Sequence, residues 1–366
     1  MRRLVLSLLA SLLVLSPFAH AEVVDNLYQV REPVTSQQPD ERNAALKRAL
    51  QELVVRLTGN PQSAQTPALA SALAAPESLI TQYGYDAGPP QVLVVNFDPA
   101  ATERALGQAG LSVWGANRPV VMVWWLNDAD GGATLLGDGQ PASASVQRGA
   151  QSAGLPIRLP LADLNEQLAG TAANIDASDP TVLRQASERY GANALLAVHA
   201  KPQGNGWQAQ WRLWNGGAVE QGSSQAADQD ALAAAVLQDV ASRLSKKFVS
   251  RPGTTEPLTL VADNSNFERY AQLQKVLEPL SSRLVKVEGT QLTYDLTANP
   301  DQLQAQLGLA GLQPTTAPAV PCSPYASSVG YATGCQWRTD GTCGPAGAER
   351  AHHPVFPLAM RTPLYR

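Results

Sequence analysis

Between residues 22 and 321 the chain has no cysteine; all three, Cys322, Cys335 and Cys343, fall near the carboxy terminus. The stability of the main body therefore cannot depend on disulfides. Histidine is nearly as scarce: of four, only His199 lies between residues 22 and 312. A body with one imidazole has little with which to move protons near neutral pH. Charged residues make up 16% and the basic ones form no cluster, which argues against nucleic acid or an anionic lipid surface as the main partner. No G-x-S-x-G elbow is present. There is no P-loop or dinucleotide fingerprint either, since Gly131-Gly132 and Gly216-Gly217 lack both spacing and context. Beyond residue 21 no apolar run reaches the ~20 residues that a membrane span needs.

What is there begins with Met1-Arg2-Arg3, an apolar run from Leu4 to Leu15, and Pro17-Phe18-Ala19-His20-Ala21. A basic start, a short apolar core and an A-x-A site predict a secretory signal peptide over residues 1–21, cut after Ala21, and hence a periplasmic location. No cysteine follows the cut, so lipoprotein processing is not expected. Removing Arg2 and Arg3 leaves 25 basic residues against 31 acidic ones, a net charge of -6 in place of -4. The remaining 345 residues suffice for two or three domains with real cores.

Hydrophobic periodicity predicts two or three small mixed-sheet domains with helices packed on them, α+β to α/β in class. Over 22–117 it gives an α+β domain. Its parts are a strand from Val23 to Val30, a helix capped by Asp40 and stopped by Gly59, strands at Leu79–Tyr85 and Gln91–Phe97, and a helix started by Asp98-Pro99. Trp114-Gly-Ala-Asn-Arg118-Pro119 reads as a linker and a domain boundary. Over 118–250 an α/β domain opens with the very apolar Pro119–Leu126, whose adjacent Trp124 and Trp125 must face opposite ways. A polar loop at Asn127–Gly139 follows, and a helix over Asp230–Phe248 closes the domain. Residues 256–312 read as a small βαββα domain. From 313 to 366 the composition changes abruptly to Pro, Thr, Ser, Gly and Arg, a tail that reads as disordered or frame-shifted.

The most informative stretch is Leu183–Trp214. A helix begins at Asp179-Pro180 with Val182, Ala186 and Tyr190 on one stripe, and Gly191 ends it. Ala194–Val198 is a strand covered on both faces, and Asn205-Gly206 turns the chain. From Trp207 the pattern alternates, with Trp207, Ala209, Trp211 and Leu213 on one face and Gln208, Gln210 and Arg212 on the other. An edge strand is expected near Val219.

Candidate chemistry is thin. His199, at the end of a buried strand, reads as a structural, hydrogen-bonded histidine. Asp128-Ala-Asp130-Gly131-Gly132 fails the calcium-loop pattern because Leu126 and Gly137 stand where ligands belong. Cys322, Cys335, Cys343, His352 and His353 match no zinc spacing. Neither a cofactor nor a metal nor a catalytic residue is expected.

Several patterns resemble the domain-of-unknown-function 2066 family of secreted Gram-negative proteins. They are Glu41–Asn60, Gln82-Tyr83-Gly84-Tyr85, Val95-Asn96-Phe97-Asp98, Trp114-Gly-x-x-Arg118-Pro119 and Arg189-Tyr190-Gly191-Ala192, in that order. The resemblance brings no reaction and no catalytic residues. More weakly, the helix-Tyr-Gly-Ala strand pattern resembles the small α/β domains of periplasmic assembly factors, such as the amino-terminal domain of the Tol-system propeller protein and the curli-secretion lipoprotein.

These readings imply a non-enzymatic periplasmic protein that binds an envelope protein during assembly or maintenance. Arg212, Trp214 and Tyr270 are the candidate partner-binding residues, on the hairpin and on the helix Phe267–Leu280. The alternatives are a Trp-lined groove for a peptidoglycan fragment, glycan or other small ligand, and a hydrolase with an unrecognised carboxylate pair.

Overall fold

The computed structural model describes residues 22–249 and 255–312, except positions 25, 130, 264 and 279, together with three short strands beyond them. The expected signal peptide over 1–21 and most of the tail over 313–366 lie outside the described residues. The class is α+β, with several small sheets. Contacts divide the chain into two compact units, the first reaching residue 254 and including 301–311, the second comprising 255–300 with 312–366. The stretches read as separate domains over 22–117 and 118–250 thus lie in one unit.

The first unit opens with β1 (Glu22–Val23) and β2 (Gln29–Val34), where a single strand was expected. Asn26, at φ 58°, turns the chain between them. Helix α1 (Pro39–Thr58) starts on proline, and Asp40 sits in its first turn rather than capping it. Gly59 ends it in the left-handed conformation. After α2 (Ala70–Ala74), strands β3 (Ile80–Asp86) and β4 (Gln91–Phe97) pair antiparallel, and the sheet order is β2-β4-β3. The apolar stripe of α1, Leu46, Leu50, Leu53 and Leu57, is buried with Val30, Leu93, Val95 and Phe97. Each such side chain contributes roughly 1.5–3 kcal/mol by leaving water. Helix α3 (Pro99–Gln108) is capped by Asp98, which accepts from the Ala101 N–H.

After β5 (Asn117–Arg118) comes the larger sheet, built from β6 (Val121–Ala129), β7 (Gly132–Leu135), β8 (Ile157–Arg158), β9 (Ala194–Gln203), β10 (Gly206–Asn215) and β11 (Ala218–Ala226). Its order is β11-β10-β9-β6-β7, with β8 also on β6; β6 is parallel to β8 and β9, and the other pairs are antiparallel. The expected loop at Asn127–Gly139 is in part the β6–β7 hairpin. One face packs on α4 (Ala144–Ala153) and α8 (Gln229–Phe248), burying Trp125, Leu196, Val198, Trp211, Val236 and Val240. These two helices approach closely: a Cβ at Gly149 would lie 3.0 Å from the Ala233 backbone. The opposite face packs on α5 (Leu164–Ala169), α6 (Ala172–Ile175) and α7 (Thr181–Ser187), with Met122, Trp124, Leu126, Leu183 and Leu195 in the core. In α7 the buried position is Leu183, whereas Val182 is 46% exposed, a one-residue rotation from the expected stripe.

The Trp114–Pro119 passage is the largest departure from expectation. Instead of a linker it is anchored in the core at both ends, with Trp114 and Arg118 both at 0% exposure. The Arg118 guanidinium donates to five carbonyls, those of Gly115 (3.0 Å), Ala153 (3.3 Å), Gly154 (2.9 Å), Arg56 (2.9 Å) and Trp114 (2.8 Å). Arg56 is also buried. It donates to the carbonyls of Ser152, Leu27 and Gln29 and pairs with Glu52 at 2.7 Å. Burial and the neighbouring Arg56 charge lower the Arg118 pKa to about 9, so it stays charged at neutral pH. The guanidinium also lies 4.1 Å over the Trp114 ring, which stacks on Phe248.

The second unit contains β12 (Glu256–Ala262), α9 (Phe267–Leu277), β13 (Ser281–Glu288) and β14 (Gln291–Ala298). Its buried residues include alternate positions of β12 and β14 and Leu273, Val276 and Leu277 of α9. Helix α10 (Pro300–Leu309) returns to the first unit, where Leu309 joins the core and Gln306 accepts from the Asn117 amide at 2.7 Å. Within the tail, expected to be without structure, β15 (Cys335–Trp337) pairs with β16 (Cys343–Pro345), and β17 (Val355–Leu358) pairs parallel with β12.

Candidate functional site

The larger sheet is covered unevenly. On the face that carries α5 to α7, helices bury β6 and β9, and Trp214 of β10 joins that core. Alternation then brings Gln208, Gln210 and Arg212 of β10 and Gln221 and Ser223 of β11 to the same side, where they line an open groove of about 470 Å³ with Asp176 on its inner wall. The register sets Gln210 opposite Ser223 and Arg212 opposite Gln221. The result is a floor of neutral amides and a hydroxyl around one guanidinium. Beneath it, Gly222 makes room for Trp211, whose ring atoms would lie 2.3 Å from a Cβ there.

A polar clamp holds the inner wall. His199 is 4% exposed; its Nδ1 lies 2.9 and 3.0 Å from the two Asp176 carboxylate oxygens, and its Nε2 lies 3.3 Å from Asp128 Oδ2. Lys201 reaches the same Asp128 oxygen at 3.5 Å. Arg212 donates to the carbonyls of Asp176 and Ala177. These contacts tie the turn after α6 to β6, β9 and β10.

Both ring nitrogens of His199 are thus engaged by carboxylates. No hydroxyl or thiol among the described residues is bonded to them, and the contacts form a clamp between strands and turn. The carboxylates lie at opposite ends of the ring and do not converge on one point. No group of three His, Cys, Asp or Glu among the described residues is placed to hold a metal ion.

A second polar cluster braces α5. Buried Glu166 accepts from Arg189 and, at 2.5 Å, from the Tyr190 hydroxyl, and its other oxygen has no partner among the described residues. Burial, followed by the bond to Glu166, pushes the Tyr190 pKa up. Leu161, Leu164 and Leu168 stand exposed beside it.

The sequence-predicted residues separate. Arg212 forms the groove wall. Trp214 is buried, at 4% exposure, which takes it off the surface. Tyr270 lies on α9 in the second unit, partly buried, and accepts from the Gln274 amide at 3.0 Å. On that same helix Phe267 is 85% exposed. Trp124, Trp125, Trp211 and Trp214 are all in cores, although Trp211 also borders the groove, and Trp207 is only partly buried. Asp176 escaped the sequence reading because it lies 23 positions from His199 and matches no motif. An edge strand near Val219 was expected, but not the meeting of its Gln221 and Ser223 with the polar side chains of β10.

Among known families, a model described as a domain of unknown function, DUF8605, matches residues 21–115. This corrects the resemblance drawn from the sequence: the matching family is a different one from the 2066 family. The match covers the three-stranded sheet and ends before the larger one. No curated protein and no solved structure matches the chain.

Proposed function

We propose that the chain is a non-enzymatic periplasmic protein that binds an envelope protein through the amide-lined floor of β10 and β11. The observation that carries the reading is the uneven cover of the sheet: helices close one half, while the other presents Gln208, Gln210, Arg212, Gln221 and Ser223 in regular array. Such a row of donors and acceptors suits an extended backbone segment, whose peptide groups need partners at strand spacing. The exported location rests on the amino-terminal sequence pattern. No helix among the described residues is long and apolar enough to cross a membrane.

Crosslinking in intact cells, with mass spectrometry of the captured proteins, tests the reading. The double variant Gln208→Ala and Gln210→Ala alters the floor and spares the core, so capture of one or two envelope proteins should fall severalfold while the melting temperature holds. Capture that is unchanged in this variant removes the floor from consideration.

A further inference from the structure

Among the described residues, the outer strands of the three larger sheets are guarded, with one exception. In the three-stranded sheet, β2 carries Pro33 close to charged neighbours, and β3 has a register shift between Ile80 and Gln82. At one end of the larger sheet β7 is only four residues long. In the second unit β13 carries Arg283 and Lys286 and a register shift between Leu284 and Lys286, and β17 contains Pro357. These are the devices that keep unpaired strand edges from meeting other chains.

At the other end of the larger sheet, β11 has only one of them, a single charge. It runs nine residues in unbroken register with β10 and contains no proline, lysine or arginine. About half of its peptide groups point away from β10, and among the described residues no strand pairs with that side. Its one charge, Glu220, is matched by Arg243 of α8 at 3.3 Å.

We infer that β11 is a dimerisation edge, joining a second copy of this chain antiparallel about Gly222 into one continuous sheet. The sequence of the strand is self-complementary about that point. With Gly222 opposite its own copy, Gln221 meets Ser223, Glu220 meets Ser224, Val219 meets Gln225 and Ala218 meets Ala226. No like charges are opposed. The two Glu220 side chains stand four residues apart, about 14 Å along the strand, beyond the Debye length of about 8 Å at physiological salt. Glycine at the centre presents no side chain where the two strands cross the axis. Such a two-fold contact uses the same patch on both copies and closes, so it does not propagate into a fibre. The dimer also places the two amide floors side by side on one face of the joined sheet. It stands independently of whether those floors capture another protein.

Sedimentation velocity of the purified mature chain over a wide concentration range tests the inference without any partner present. The wild type should be a concentration-dependent dimer. In the variant Gln221→Glu with Ser223→Glu, two pairs of carboxylates are forced opposite each other across the axis, and the dissociation constant should rise by roughly tenfold or more. Within the monomer the carboxylate introduced at position 221 faces Arg212, so circular dichroism of the dilute protein should remain native. The variant Gln221→Glu with Ser223→Lys sets opposite charges across the same axis and should dimerise again. A wild type that stays monomeric throughout would overturn the inference, and so would a Glu/Glu variant that dimerises like the wild type or a Glu/Lys variant that fails to.

Discussion

The Trp114–Arg118 passage and the β10 hairpin use the same residue types to opposite ends. Each pairs a tryptophan with an arginine: Arg118 over Trp114 at 4.1 Å, and Arg243 over Trp211 at 5.0 Å, with Arg212 adjacent in sequence. In the first passage the arginine is sealed, because five carbonyls from three separate segments converge on one guanidinium and leave no donor for solvent. In the second, Arg212 touches two carbonyls of one turn and stays half-exposed. Both places set an arginine among tryptophans. What differs is how many chain segments arrive, and that decides whether an arginine welds the fold or faces a groove.

The most forceful way to break this comparison is Arg118→Met. The change keeps apolar volume and strips the donors from five carbonyls, four of them buried, so the protein should lose about 3–5 kcal/mol of stability. Relief of repulsion from Arg56 offsets only part of that loss. A urea unfolding midpoint reads the change directly. A loss under about 1 kcal/mol, the range of an exposed pair, would mean that the weld is formed by packing of Trp114 and Phe248 instead.

His199→Leu should fall between the two regions. It removes both clamp contacts, but Asp128 and Asp176 are 36% and 49% exposed, so water can replace the lost N–H donors. The expected cost is about 1–2 kcal/mol, smaller than at Arg118 because the stranded groups are not sealed. A cost equal to that of Arg118→Met would show that solvent does not reach the clamp.

The same contrast explains what was legible in the sequence. Helices α1 and α8 and strand β6 announce themselves, since an amphipathic stripe or an apolar run is a property of neighbours in sequence. Gly59 and Gly191 mark left-handed stops where expected. Arg118 gives no such sign. Its partners Arg56 and Gly154 lie 62 and 36 positions away, and a charged residue between Asn117 and Pro119 looks like surface until those carbonyls are in place. Likewise, the alternation from Trp207 to Leu213 told which side chains share a face, but not that α5 to α7 would cover β6 and β9 and leave Gln208, Gln210 and Arg212 open. Trp214 was misplaced for the complementary reason: it lies on the open face by alternation, yet it is the residue of β10 that those helices still reach.

Arg212→Ala is the mildest probe and the one that separates stability from recognition. Two carbonyl contacts at a solvent-facing turn are lost, and water can reach both acceptors. Thermal unfolding should therefore report less than about 1 kcal/mol. If the β10–β11 floor is where a partner docks, capture in the crosslinking assay should nevertheless fall severalfold, because the only cation lining the groove among the described residues is removed and the turn carrying Asp176 loses one of its tethers. Unchanged capture together with unchanged stability would place Arg212 outside the contact and leave the amides alone to carry it. A large loss of stability would instead put Arg212 in the same class as Arg118, and the distinction between a welded and an open arginine would fail.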